Sequence, residues 1–187
     1  MERKISVGVS NRHVHLTKEV YDLLFDEELT KKNDLNQIGE FASNQVVTIK
    51  GKKGSIENVR VLGPLRNYNQ VEISRTDAYK LGINPPVRRS GDLLDSEDVI
   101  LETEKGSILL KNSCIIADRH VHINFDMARE MGLKDNQVVK ILVSGDKACI
   151  LYAHVKISDN GYYELHIDFD DANACGIKNN DELTLIY

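Results

Sequence analysis

The sequence contains an internal repeat, which constrains the fold more than any other feature. Residues 10–16 read Ser-Asn-Arg-His-Val-His-Leu, and residues 117–123 read Ala-Asp-Arg-His-Val-His-Ile. Two further blocks recur in the same order at nearly the same spacing: residues 44–47 with 136–139, and residues 71–83 with 165–177. Because three blocks recur in one order, the chain is a duplication of one structural unit.

The repeated unit is rich in predicted strands. Runs with β-branched or alternating apolar residues, bounded by turn-forming residues, predict seven of them: Val46–Lys50, Ile56–Leu62, Asn69–Ser74, Val138–Val143, Ile150–Ile157, Tyr162–Ile167 and Leu183–Tyr187. Short helices are predicted to end at Gly82, Gly132 and Gly176, since glycine most readily adopts the left-handed conformation that closes a helix.

This pattern predicts a mostly β protein with short capping helices, folded as two tandem duplicated β-barrels. We expect a first barrel over residues 1–89, a connector over 90–112 that follows Pro85-Pro86, and a second barrel over 113–187. A single barrel or sandwich built from both repeats is the alternative. The sequence also leaves open whether a strand crosses from one barrel to the other.

Composition narrows the class of protein. Lys and Arg total 24 against 29 Asp and Glu among 187 residues, a net charge of −5, which argues against a general nucleic-acid binder. The sequence has neither an apolar run of the ~20 residues that span a bilayer nor an apolar N-terminal signal. Its three widely spaced cysteines are typical of a reducing compartment. We therefore expect a soluble intracellular protein that binds no membrane.

The repeated Arg-His-Val-His motif predicts metal binding. Side chains alternate along a strand, so His13 and His15 point the same way, as do His120 and His122. Two imidazoles so placed can reach one ion at ~2.0–2.1 Å, the usual distance for zinc. The alternative is an exposed strand whose repeated histidines are inert.

The repeat also supplies a third ligand for each site. Glu72 aligns with His166, and each lies between two apolar residues of a predicted strand. Both residue types bind zinc, so we expect two sites, each with three protein ligands and an open position. His154 aligns with Arg60 and is interpreted as a surface or structural histidine, and Cys114 as a buried free thiol.

Arginine suggests an anionic substrate. Arg66 has no counterpart in the second repeat, where the aligned residue is Asn160, and a guanidinium fork matches phosphate or carboxylate. Four further arginines are candidate substrate-binding residues: Arg12, Arg75, Arg88 and Arg119. Ordinary surface charge is the alternative for Arg75 and Arg88. Arg12 and Arg119, beside the histidines, could equally pair with supporting carboxylates.

The whole sequence resembles the phosphate propanoyltransferase family, the phosphotransacylases of propanediol utilisation. The resemblance depends on seven segments: Val7–Leu16, Arg60–Pro64, Gln70–Ala78, Pro86–Arg88, Ser90–Asp92, Asp118–His122 and His166–Asp168. It implies two β-barrels with a two-zinc site between them, a homodimer, and transfer of a short acyl group between coenzyme A and phosphate. Acyl-CoA, coenzyme A, acyl phosphate and phosphate would be its substrates and products.

The resemblance also implies residue roles. It places one zinc on His13, His15 and Glu72 and the other on His120, His122 and His166, with Arg66 binding phosphate. Other divalent metals suit the same ligands. Members directed to bacterial microcompartments carry an amphipathic N-terminal extension, whereas six residues precede the first motif here, which favours a cytoplasmic protein. A zinc hydrolase of acyl phosphates or phosphoesters, and a structural or metal-sensing barrel, are the alternative functions.

Overall fold

The computed structural model describes residues 1–159 and 161–187, which form two compact units. The central unit comprises Arg12–Ala117, and the terminal unit comprises Met1–Asn11 with Asp118–Tyr187. These units differ from the expected division at 89 and 113, because the first eleven residues belong with the second repeat and the expected connector contains strands of the central unit.

The central unit is a closed six-stranded barrel with two additional strands. Its elements are β2 (His13–His15), α1 (Lys18–Leu24), β3 (Lys31–Asp34), β4 (Phe41–Lys50), β5 (Ser55–Gly63), β6 (Gln70–Glu72), α2 (Arg75–Leu81), β7 (Val87–Arg88), β8 (Glu97–Glu102) and β9 (Ser107–Ala117). The ring runs β4-β5-β2-β6-β9-β8 and closes where β8 pairs with β4.

The terminal unit is a second closed six-stranded barrel. Its elements are β1 (Glu2–Ser10), β10 (His120–Ile123), α3 (Phe125–Met131), β11 (Val138–Val143), β12 (Cys149–Ile157), β13 (Glu164–Asp168), α4 (Phe169–Cys175) and β14 (Glu182–Ile186). The ring runs β1-β13-β10-β12-β11-β14, and β14 pairs with β1 to close it. The expectation of two β-barrels is confirmed.

The two rings have the same pattern of strand pairing. Each His-x-His strand, β2 or β10, pairs in parallel with one strand of a hairpin and antiparallel with the strand that precedes a helix. By the same comparison β1 corresponds to β9, since each pairs in parallel with that preceding strand. The repeat units are therefore equivalent, but each one's first strand completes the ring formed by the other.

Both barrels have an apolar core built by strand alternation. In β11, for example, Val139, Ile141 and Val143 are buried while the residues between them are exposed. The predicted helix ends are confirmed, because Gly82, Gly132 and Gly176 adopt left-handed conformations at the ends of α2, α3 and α4. Each barrel thus carries short helices that begin directly after the strands with the predicted ligands, which are β2, β6, β10 and β13.

Within the described residues, no helix combines the length and apolarity needed to cross a membrane.

The placement of β1 in the terminal barrel predicts a large effect from a residue near the N-terminus. Ile5 is 1% exposed in the terminal core. We expect Ile5→Ala to lower the free energy of unfolding by about 3 kcal/mol, because it leaves a cavity. Urea denaturation measures the change. The matched control Ile150→Ala alters an exposed residue of β12 and should cost less than about 0.5 kcal/mol. Equal losses would contradict this role of β1.

Candidate metal centres

Strand pairing brings each predicted set of ligands together on one face of its barrel. In the antiparallel pair β2–β6, His13 lies directly opposite Glu72. In the pair β10–β13, His120 lies directly opposite His166. The intervening valines of both His-x-His motifs are fully buried in the cores, so the histidines project from the other face of their strands.

The first cluster comprises His13, His15 and Glu72, whose ligand atoms all lie within 4.8 Å of one another. The His13 Nε2 atom is 3.4 Å from the Glu72 Oε2 atom. The ring centroids of His13 and His15 are 5.0 Å apart with nearly perpendicular planes. His15 is almost completely buried, whereas His13 and Glu72 are half-buried. This donor set of two imidazoles and one carboxylate could hold a divalent cation.

The second cluster comprises His120, His122 and His166, with ligand atoms again within 4.8 Å of one another. The His120 Nδ1 atom lies 2.8 Å from the backbone carbonyl oxygen of Asp118, an acceptor to which it can only donate. In the neutral ring, the Nε2 atom of His120 therefore carries the lone pair, and it lies 3.1 Å from the Nε2 atom of His122. A backbone contact thus turns a ligand nitrogen toward its neighbour.

Two residues that sequence reasoning missed also contact His166. The Tyr162 hydroxyl lies 2.7 Å from the His166 Nε2 atom, and the Tyr162 ring stacks on His122 at a centroid distance of 5.0 Å. The Glu164 Oε2 atom lies 2.9 Å from the same nitrogen, and Glu164 is buried. Glu164 could have been found from the two-residue spacing, which places it on the face of the strand that carries His166.

Gln70 occupies in the first cluster the place that Glu164 occupies in the second. It lies opposite His15, as Glu164 lies opposite His122. The Gln70 amide donates to Glu72 Oε1 at 2.5 Å and to the Ser90 hydroxyl at 2.8 Å. Its carbonyl accepts from the backbone N–H of Gly91 at 2.7 Å. Gln70 therefore orients the Glu72 carboxylate.

Gly8 of β1 leaves space beside the second cluster. A Cβ atom at this position would lie 2.7 Å from Glu164 Oε2 and 2.8 Å from His166 Nε2, closer than real contacts allow. Gly8 is paired with His166 in the parallel strand register. Because Gly8 has no side chain, these donor atoms stay uncovered. The three converging imidazoles and the adjacent carboxylate fit a zinc-type cation.

An arginine–aspartate pair supports each cluster. Arg12 Nε donates to Asp77 Oδ2 at 2.8 Å, and Arg119 makes a bidentate contact with Asp171 at 2.8 and 2.6 Å. Each pair ties the start of a His-x-His strand to the first turn of α2 or α4. The hydrogen bond to Asp171 raises the pKa of Arg119. Of the two expected roles, these contacts favour pairing with supporting carboxylates over direct phosphate contact.

Arg66 lies beside the end of β2 in the central unit. Its backbone N–H donates to the carbonyl of Leu16 at 2.8 Å. Its guanidinium donates to Glu40 Oε1 at 2.7 Å and to the Tyr68 hydroxyl at 2.8 Å. These contacts use two of its five N–H donors. The residue aligned with Arg66 in the second repeat, Asn160, lies outside the described residues.

The other predicted residues have ordinary surroundings. Arg75 donates to Asn84 at 2.8 Å, and Arg88 donates to the backbone of Val87, in both cases on exposed surface. His154 lies opposite His120 in a parallel register and contacts Asp118 at 2.9 Å through its Nδ1 atom. Cys114 is fully buried in the central core.

The chain is similar over nearly its whole length to a family model and to several proteins that share one name. Residues 6–178 match the family model described as phosphate propanoyltransferase. A phosphate propanoyltransferase from Thermotoga maritima is 45% identical over 190 residues, covering 100% of this chain and 89% of that protein. Proteins of the same name from Priestia megaterium and Rhodopseudomonas palustris are 47% and 39% identical, each over 95% of this chain and 83% and 80% of their own lengths.

The space at Gly8 predicts the effect of one methyl group on cation binding. We expect Gly8→Ala to lower Co²⁺ affinity at the second cluster at least about tenfold, because the methyl group would displace His166 and Glu164. Absorbance titration of the chain with Co²⁺ measures this affinity. The control Gly106→Ala adds a methyl group to open space and should change nothing. An unchanged Gly8→Ala titration would contradict the interpretation.

Proposed function

We propose, since this chain belongs to the phosphate propanoyltransferase family, that it reversibly transfers a short acyl group, propanoyl or acetyl, between coenzyme A and inorganic phosphate. The family match makes it an acyltransferase. The observation that carries the proposal is that the matched residues 6–178 include both three-donor clusters. This observation supports the proposal more strongly than a shared fold would, because one fold can carry many functions and the functional residues decide between them.

We assign one zinc ion to each cluster: His13, His15 and Glu72 would hold one, and His120, His122 and His166 the other. Imidazole and carboxylate donors support zinc, and the same sets also accept cobalt, manganese or iron. When bound, such ions supply Lewis-acid polarisation of phosphoryl oxygens. Arg119–Asp171 and Gln70–Glu72 keep the donors in position.

Arg66 is the proposed phosphate-binding residue. Its side chain is mostly buried beside Glu40, at 2.7 Å, so it is ordered before substrate arrives. The planar guanidinium can donate to two phosphate oxygens at once, provided that the N–H group that now donates to Glu40 is released. Arg66 would thereby orient the phosphate and stabilise the charge that develops on it when it leaves.

Acyl transfer would proceed by direct attack in a ternary complex. The coenzyme A thiolate attacks the acyl carbon, the carbon–oxygen bond to phosphate breaks, and its electron pair leaves with the phosphate. The thiols of Cys114 and Cys175 suit nucleophilic attack on the acyl carbon poorly, because Cys114 is fully buried and burial raises the pKa values of both. We therefore propose no covalent acyl-enzyme on either thiol.

The first test removes the proposed phosphate-binding group. We expect Arg66→Ala to lower kcat by roughly a hundredfold or more while zinc content stays near that of the parent chain. Thiol release from propanoyl-CoA and phosphate measures turnover, and elemental analysis measures zinc. Arg129→Ala, which removes an exposed arginine of α3, is the matched control. Unchanged turnover in Arg66→Ala would disprove the phosphate-binding role.

A second test separates transfer from hydrolysis. We expect thiol release from acetyl-CoA or propanoyl-CoA to require phosphate, to stop when a chelator removes the metal, and to return when zinc is added. Thiol release without phosphate would identify a hydrolase instead. No release from a zinc-loaded chain would favour a structural or metal-sensing role. The ratio of the two rates reports the preferred acyl group.

Homodimer formation completes the proposal, on the strength of the family resemblance. Sedimentation equilibrium of the zinc-loaded chain at micromolar concentration should give twice the chain mass of 21.1 kDa. A monomer at these concentrations would contradict it.

A further inference from the structure

Two cysteines that are distant in the sequence meet in the terminal unit. Cys149 begins β12 and Cys175 ends α4, and their Sγ atoms lie 3.3 Å apart although the two residues are 26 positions apart in the sequence. Both are free thiols. The wide spacing in the sequence gave no indication of this contact, which no part of the proposed acyl transfer uses.

The surrounding structure holds the two sulfur atoms together. The hairpin that joins β11 to β12 contacts the end of α4, because Lys147 Nζ donates to the carbonyl of Asn173 at 2.9 Å. Cys175 belongs to the terminal core, and Cys149 packs against that core. Cys149 is also in register with Val143, so the start of β12 is fixed by backbone pairing.

We infer that Cys149 and Cys175 form a reversible disulfide when the protein meets a low-molecular-weight disulfide such as oxidised glutathione. The required sulfur–sulfur distance is about 2.05 Å, so closure asks for a movement of roughly 1 Å, which small side-chain rotations can supply. A disulfide here would link a strand of the terminal barrel to the helix that follows β13.

The chemistry balances with that one oxidant. The Cys149 thiolate attacks the small disulfide, forms a mixed disulfide and releases one small thiol. The sulfur of Cys175 then attacks the Cys149 sulfur, loses its proton to solvent and releases the second small thiol. Two protein thiols are oxidised, and one disulfide is reduced to two thiols.

The order of attack follows from exposure. Cys149 is half-buried and can be reached from solvent, whereas Cys175 is 8% exposed. Burial raises the pKa of Cys175 to about 11, so its thiolate is scarce at neutral pH. The second step is intramolecular, between sulfurs already in contact.

The disulfide would act on a helix that supports the second cluster. Asp171 lies in the first turn of α4 and holds Arg119, the residue directly before His120. The bond would close a loop of some 26 residues and restrict the unfolded chain. Oxidation should therefore stabilise the terminal unit without removing any of the proposed ligands.

The test is a thiol count after oxidation. The reduced chain has three thiols. After incubation with oxidised glutathione and then denaturation, we expect one reactive thiol per chain, an intact mass lower by two hydrogens, and a peptide linking Cys149 to Cys175. Tm should rise by roughly 5 °C and fall again with dithiothreitol. Three reactive thiols, or a glutathione adduct that persists on Cys149, would overturn the inference.

Single substitutions provide the controls. Cys114→Ser should keep the oxidation-dependent mass and Tm changes, because that thiol lies in the central core. Cys149→Ser and Cys175→Ser should each abolish both changes. Loss of the changes in Cys114→Ser alone would assign the disulfide to a different pair and disprove the inference.

Discussion

Backbone pairing between two antiparallel strands determines where the candidate ligands lie. His13 faces Glu72 and His120 faces His166 because each pair occupies the same register position of its ladder. A slip of one residue would turn every one of these side chains into the barrel core. The buried valine between the histidines of each motif prevents that slip, since it would then lose its place in the core. The packing of the core and the geometry of the site therefore depend on the same strand register.

The two halves share this strand register but differ in the side chains at two of its positions. Gln70 and Glu72 stand in one half where Glu164 and His166 stand in the other. Each half thus keeps one carboxylate. It is Glu72, at the second position of the pair, in the first half, and Glu164, at the first position, in the second half. In the first half an amide donates to the carboxylate, which lies 3.4 Å from an imidazole nitrogen, and in the second half the carboxylate lies 2.9 Å from an imidazole nitrogen. The two proposed metals would accordingly meet a carboxylate at different positions and with different hydrogen bonding.

Much of this arrangement could be predicted from the sequence, because alternation and repetition are local properties. Both three-residue clusters, the ends of three helices and the barrel fold followed from them. The pairing of Arg66 with Glu40 did not, since Glu40 lies in a polar segment without periodicity. The predicted connector, residues 90–112, takes in β8 and the first part of β9. Exposed apolar residues, Ile100 in β8 and Leu109 in β9, obscure the alternation of buried and exposed positions in these strands.

The exchange of β1 and β9 between the two rings could not be predicted from the sequence either, for a different reason. β1 and β9 hold equivalent places in the two rings, each paired in parallel with the strand that precedes a helix, so the repeat alone does not show which barrel each one completes.

That exchange has a consequence for synthesis. As the nascent chain leaves the ribosome, β1 emerges well before its partners β13 and β14, and Met1 can bond to Tyr187 through both backbone groups only after those strands are made. The central ring can close once β9 has emerged, whereas β1 stays unpaired until β13 and β14 have emerged. The terminal barrel thus joins strands that lie far apart in the sequence, a topology of high contact order that folds slowly.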